Sequence, residues 1–305
     1  MQDGSRKAII AAFFANLGIA VAKFVGFLFT GSAGLLAEAG HSVADTGNQG
    51  LLMLGGKRGK RPADHAHPFG YGPERYFWSF IVALVLFSMG GLFALYEGIQ
   101  KVAHPHQIES AFVAYGILAF AIVLETYSLR TAMKEANHVR NGRTWWNFIR
   151  TAKAPELPVV LLEDVGAETG LVFALAGLTM AEITGNPRWD AVGSIAIGLL
   201  LVCIAIILAV EMKGLLIGEA ASDADLAAIT AAFETAEHVT SLIHLRTMHL
   251  SPDQLLVAAK LEFDSSLTVP ELARAIDATE ARLRAAVPIA ATVYLEPDIR
   301  RRPLQ

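Results

Sequence analysis

The sequence predicts an all-α bundle of six transmembrane helices followed by a small α+β domain. Of its 305 residues, 53% are hydrophobic and only 18% are charged, and the mean hydropathy is +0.44. Soluble domains average about 25% charged residues, so the first part of the chain is predicted to lie in a lipid bilayer. The composition changes after Lys213, and we place the domains at 1–212 and 213–305.

Six segments have the roughly 20 apolar residues that a membrane-spanning helix needs. Basic residues concentrate in the loops 57–75 and 135–156, which predicts that both termini lie in the cytoplasm. An Ala-rich composition with short loops further predicts a bacterial cytoplasmic membrane. The small net charge of −4 argues against a nucleic-acid partner. The six segments are approximately 8–30, 33–56, 77–101, 110–134, 157–183 and 190–212.

The C-terminal part alternates between helical and strand patterns. Residues Asp223 to Glu237 have apolar residues at helical spacing, and Ser241 to Leu250 and Gln254 to Phe263 are predicted strands around a Ser-Pro-Asp turn. A second helix is predicted from Pro270 to about Ala286, since proline favours the first turn of a helix. A last strand follows at Ala290 to Glu296. This αββαβ order predicts a small sheet with helices on one face.

Two of the predicted spans carry ionisable residues at helical spacing. His41 and Asp45 are four residues apart, as are Asp164 and Glu168, so each pair shares one helix face. Together they offer one imidazole and up to three carboxylates, which are ligands for zinc and related divalent cations. Glu163 is rotated by about 100° from Asp164. Such a cluster would repel itself without a cation or protons, so metal and protons should compete for it.

Structural roles remain as alternatives for these charged residues. The carboxylates could pair helices through hydrogen bonds to Asn16, Asn48 or Gln49. For Glu125, in the fourth span, we expect an ion pair with Lys23 of the first span, and a proton-relay carboxylate is the alternative.

Five stretches of this sequence resemble the cation diffusion facilitator family, within it the branch that contains zinc transporter nine: HSVAD, PADHAHPFGYGPERY, VLLED, GNPRWDAVGSIAIG and YLEPD. The resemblance extends from Ile9 to Asp298. It implies a six-span transporter that moves zinc or related divalent ions out of the cytoplasm in exchange for protons. An intramembrane metalloenzyme is an alternative of another class, but the sequence has no HExxH motif and no nucleophile–base arrangement, so we predict neither an enzyme nor a cofactor. The resemblance also implies a ferredoxin-like C-terminal domain that forms a homodimer. His41, Asp45 and Asp164 match positions of the family's intramembrane metal site.

One departure concerns the fifth span. Typical zinc exporters of this family have a His-x-x-x-Asp pair there, but the residue four before Asp164 is Val160. Glu168 or Glu163 could supply the missing ligand, or the site could keep a water molecule. An oxygen-rich site is less selective for zinc, so a manganese, iron or cobalt exporter is an alternative. A membrane scaffold that has lost transport is another.

The loop after the second span is a candidate for a weak secondary metal site. Asp64 and His67 match two positions of such a site in the family, and Tyr71 stands at a third position that is often histidine. The alternative is a turn that leads into the next helix, shaped by Pro68, Gly70 and Gly72.

In the C-terminal domain, the resemblance places Lys260 and Tyr294 where metal-sensing members have histidines. His244 and His249 are five residues apart on one strand and should point to opposite faces. We therefore predict a dimerisation module without a rich metal site.

Overall fold

The computed structural model describes residues 3–30, 33–104 and 111–300. Its internal contacts divide the chain into two compact units. The first comprises Met1–Arg61 and Glu74–Lys213, and the second comprises Pro62–Pro73 and Gly214–Gln305. The loop between the second and third long helices therefore groups with the C-terminal part of the chain.

The first unit is helical. Its third long helix is continuous but has three parts, because a π-helical segment, Leu86–Leu92, separates α3 from α4. A short helix, α6, precedes α7, and the Thr144 hydroxyl accepts a hydrogen bond from the Asn147 amide at its start. The helices are α1 (Asp3–Thr30), α2 (Ala33–Arg58), α3 (Glu74–Val85), α4 (Phe93–Ala103), α5 (Ala111–Arg140), α6 (Trp145–Thr151), α7 (Glu156–Thr184) and α8 (Arg188–Ile217).

Among the described residues, four helical stretches are long and apolar enough to cross a membrane, not the six that the sequence predicted. They are Arg6–Gly26, Glu74–Ala103, Phe112–Arg140 and Arg188–Ile217. The other two long helices, α2 and α7, carry most of the acidic and amide side chains of the predicted site. Such groups make a helix costly to expose to lipid and favour burial inside a bundle.

The helices of the first unit pack closely against one another. α1 packs against α2 and α5, and α7 packs against α5. α4 and α8 approach at glycines: a Cβ atom on Gly98 would lie 2.7 Å from Ile195 Cγ1, and one on Gly198 would lie 2.7 Å from Leu95 Cγ. Only a residue without a side chain permits these contacts.

The second unit confirms the predicted αββαβ order. β1 pairs with β2 antiparallel, and β2 pairs with β3 parallel, which gives the sheet order β1-β2-β3. Both helices contribute to the apolar core of the sheet, α9 through Phe233 and α10 through Leu283. α10 begins at a capping box in which the Thr268 amide donates to Glu271 Oε2 over 2.8 Å. The elements are α9 (Asp223–Glu234), β1 (Val239–Ser251), β2 (Gln254–Phe263), α10 (Val269–Ala286) and β3 (Thr292–Pro297).

Candidate metal-transport site

A cavity of about 190 Å³ lies within the helical unit, lined by residues of α1, α2, α4, α5, α7, α8 and the π-helical segment. Five carboxylic acids and two lysines line it, so the formal charge of its lining is negative when all of them are ionised. Several water molecules fit in such a volume. A cavity of this charge favours cations over anions. Its charged lining residues are Lys23, Asp45, Glu97, Lys101, Glu125, Glu163 and Asp164.

The structure brings two of the predicted site residues, Asp45 and Asp164, to the same cavity. Asp164 is buried in α7, and its Oδ2 accepts a hydrogen bond of 2.8 Å from the Ser128 hydroxyl of α5. His41 lies in α2 one turn before Asp45, but its side chain is outside the described part of the structure.

Glu163 connects α7 to α2 in the way that the structural alternative anticipated. Its Oε1 accepts from Asn48 Nδ2 and its Oε2 from Gln49 Nε2, both at 2.8 Å. Gln49 Oε1 in turn accepts a longer bond of 3.5 Å from Asn16 Nδ2 of α1. All four side chains are buried. Each Glu163 oxygen therefore accepts one hydrogen bond from α2, and this carboxylate fixes α2 against α7.

Glu168 lies further along α7 and is not among the residues that line the cavity. Its Oε1 accepts from the Thr126 hydroxyl of α5 at 3.0 Å, while its buried Oε2 has no hydrogen-bond partner among the described residues. Within the described ranges, no three His, Cys, Asp or Glu side chains converge closely enough to hold a metal ion. A direct ligand shell would therefore need His41, bound water or movement of the lining side chains.

At the predicted secondary site, Asp64 accepts hydrogen bonds from residues of its own loop. Asp64 Oδ2 accepts from the Tyr71 hydroxyl at 2.7 Å, and Oδ1 accepts from the amides of Ala66 and His67. The hydrogen bonds from Tyr71 and from the His67 amide lower the pKa of Asp64. His67 Nδ1 lies 3.7 Å from Asp64 Oδ1. A metal ion here would compete with Tyr71 for the carboxylate.

The C-terminal domain places the two histidines of β1 differently. His244 is exposed and accepts from Arg246 Nε, whereas His249 is buried, so they do not share a face. Lys260 donates to Glu296 at 2.9 Å and to Asp298 at 3.3 Å, and these hydrogen bonds raise the pKa of Lys260. An ammonium group therefore already pairs with both carboxylates and offsets one of their two negative charges.

The structure contains one buried ion pair that the sequence did not predict, because Arg75 falls within the basic loop 57–75. Arg75 lies in the first turn of α3, where its Nε donates to Glu156 Oε1 at 2.6 Å and its Nη2 to Oε2 at 3.0 Å. Both residues are buried, with 4% and 1% of their surface exposed. The only sequence signal concerned Glu156 itself: carboxylates favour a helix N-terminus, which is consistent with its place in the first turn of α7.

Comparison with known proteins finds similarity over most of the chain. The chain is 32% identical over 263 residues to the human proton-coupled zinc antiporter SLC30A9, mitochondrial, and the match covers 86% of this chain and 46% of that protein. It is 31% identical to metal tolerance protein C4 of Arabidopsis thaliana, covering 87% and 58%. The chain thus spans about half the length of these relatives. A solved structure, a MamM-CTD with two substitutions, is 22% identical and covers 26% of this chain and 94% of its own, with a TM-score of 0.24.

These findings correct the predicted localisation. The prediction of a bacterial cytoplasmic membrane, with six spans and both termini in the cytoplasm, is wrong. Similar proteins include a mitochondrial antiporter and a plant protein, and four described stretches rather than six are apolar enough to span a membrane. Composition and loop length do not distinguish a bacterial membrane from an organelle membrane, because both bilayers impose the same apolar requirement.

Two family models divide the chain between them. The model of the cation efflux transmembrane domain matches residues 9–217, and that of the cation efflux protein, cytoplasmic domain, matches residues 221–298. The matched family consists of transporters, which agrees with the prediction that the protein is not an enzyme. The two matches leave only short stretches unassigned, and the chain belongs to the cation efflux family.

Proposed function

We propose that the protein exports divalent metal cations, zinc foremost, in exchange for protons. The observation that carries this proposal is the cavity lined by Asp45 of α2 and Asp164 of α7, with its excess of carboxylates over lysines. An intramembrane acidic cavity is costly unless a cation or protons neutralise it. The similarity to a proton-coupled zinc antiporter supports the same activity.

In this proposal Asp45 and Asp164 bind the cation directly, and His41 joins them from the turn before Asp45. The cation keeps part of its water shell, since the described acidic side chains do not converge on one point and the cavity has room for water. Glu168 does not line the cavity and could join only if its side chain moved towards it, with Oε2 as the available donor atom. Protons arriving from the other side of the membrane compete for the same carboxylates and release the metal.

The identity of the metal follows from the donor atoms. Carboxylate oxygens suit manganese, while an imidazole nitrogen suits zinc, iron and related metals. Export of manganese, iron or cobalt is therefore the second candidate, favoured by Val160 where zinc exporters of the family have histidine. We further propose that the protein works as a homodimer, through the C-terminal domain that matches the family's second model.

Metal flux into proteoliposomes tests the transport function. With the vesicle interior acidic, protons leaving should drive uptake of zinc, and the rates for manganese, iron and cobalt would rank the ions. Asp45→Asn and Asp164→Asn should each lower uptake at least about 10- to 100-fold, the range seen when even the outer partners of metal ligands are changed. Glu182→Gln is the matched control, because this exposed acid also lies on α7 but outside the cavity.

Uptake that both aspartate variants abolish and the control retains would establish the antiporter. A folded, dimeric protein without flux of any of these ions would leave the scaffold alternative instead.

A further inference from the structure

Glu125 is a buried carboxylate in the middle of α5 that the proposed site has not yet used. Only 4% of its surface is exposed, and it lines the same cavity as Asp45 and Asp164. No described side chain lies within hydrogen-bonding or ion-pairing distance of it. A buried carboxylate without a partner is costly, so its position calls for a ligand that the described residues do not provide.

Lys23 and Glu125 do not form the ion pair that the sequence suggested. The groups that interact electrostatically with Glu125 are the carboxylates of Asp164, Asp45 and Glu168 and the ammonium of Lys23. Lys23 instead donates to the Ser42 hydroxyl at 3.2 Å. Three neighbouring acids and one lysine engaged elsewhere leave Glu125 in an environment that a mobile cation would stabilise.

Two hydrogen bonds fix α5 against α7 at this level. Ser128, about one turn after Glu125, donates to Asp164, and Thr126, the next residue after Glu125, donates to Glu168. These two bonds hold α5 and α7 together at the level of the cavity that Glu125 and Asp164 both line. A cation bound between α2 and α7 would also face α5, which forms a third side of the cavity.

We propose that Glu125 is a cation-binding residue, the third carboxylate of the transport site, which reaches the ion through bound water or by movement of the lining side chains, and that it makes the site accept oxygen-preferring ions such as Mn²⁺ as well as Zn²⁺. This inference rests on the proposed function. Zinc can rely on nitrogen as well as oxygen ligands, whereas manganese depends on carboxylate, carbonyl and water oxygens. The loss of one carboxylate should therefore weaken manganese binding more than zinc binding.

The test is titration of the purified full chain with Mn²⁺ and with Zn²⁺, for the wild type, Glu125→Gln and Glu125→Asp. Glu125→Gln keeps the shape and removes the charge, and we expect manganese affinity to fall at least about tenfold, as for a disturbed metal ligand, with a smaller change for zinc. Glu125→Asp should recover part of the loss. Glu135→Gln is the control, because it makes the same change on α5 outside the cavity lining.

Unchanged affinity of Glu125→Gln for both ions would overturn this inference and leave the proposed function standing, provided that the wild type binds metal and the Asp164 variant does not. An equal loss for both ions would overturn the selectivity role. No metal binding by the wild type would overturn the proposed function itself. Should Glu125→Gln fail to fold, as judged by size-exclusion chromatography, the Mn²⁺ to Zn²⁺ ratio of Glu125→Asp decides: an unchanged ratio overturns the inference.

Discussion

Replacing Arg75 with alanine is expected to lower the free energy of unfolding by about 3–5 kcal/mol, the cost of breaking a buried ion pair. The guanidinium makes two hydrogen bonds to the Glu156 carboxylate, and both side chains are almost fully buried. Without Arg75, Glu156 would be left as an uncompensated buried charge. Thermal or chemical unfolding of the detergent-solubilised protein, followed by tryptophan fluorescence, would measure the loss.

Two further variants test whether the loss of stability in Arg75→Ala comes from the unpaired buried charge of Glu156. The double variant Arg75→Met with Glu156→Leu should recover much of the stability, because apolar residues of similar volume often replace a buried pair without loss. Lys260→Ala removes two largely exposed ion pairs, with Glu296 and with Asp298, and should change stability little. An Arg75→Ala protein as stable as the wild type would show that this pair is not buried as described.

The second large effect is expected at Glu163. Replacing it with alanine would leave the amide groups of Asn48 and Gln49 without their shared acceptor, at a cost of about 1–3 kcal/mol for each buried group. Glu163→Gln keeps one acceptor oxygen and should cost less. The unfolding measurement used for Arg75 applies here, combined with a metal titration.

The combination distinguishes two roles for Glu163. If Glu163 positions α2 against α7, Glu163→Ala should lower the free energy of unfolding. Metal affinity should then fall only indirectly, because Asp45 on α2 is displaced. A Glu163→Ala protein of unchanged stability that no longer binds metal would instead identify Glu163 as a ligand and refute the positioning role.

The C-terminal domain shows what local sequence could predict. The start of α10 beside Pro270 and the extent of β2 follow from proline chemistry and from apolar runs around a turn, which are local signals. Predicted boundaries there differ from the structure by at most a few residues. The pairing of β2 with β3 is parallel and spans α10, so its register depends on tertiary packing.

The candidate site was predictable only in part, because helix rotation decides which acids meet. Helical spacing identified Asp45 and Asp164, and the structure places both at one cavity. The sequence could not choose between Glu163 and Glu168, since the partners of Glu163 lie more than a hundred residues away on α2. It also assigned Lys23 to Glu125, although Lys23 donates to Ser42.

Locating the bound cation tests the central claim most directly. We suggest an experimental structure of the full chain with Mn²⁺ or Zn²⁺, in which anomalous scattering identifies the metal. The account predicts one metal peak in the cavity between α2, α5 and α7, within reach of Asp45, Asp164 and Glu125, and its loss in Asp164→Asn. Metal found only at the Asp64 loop or in the C-terminal domain, with the cavity empty at saturating metal, would contradict it.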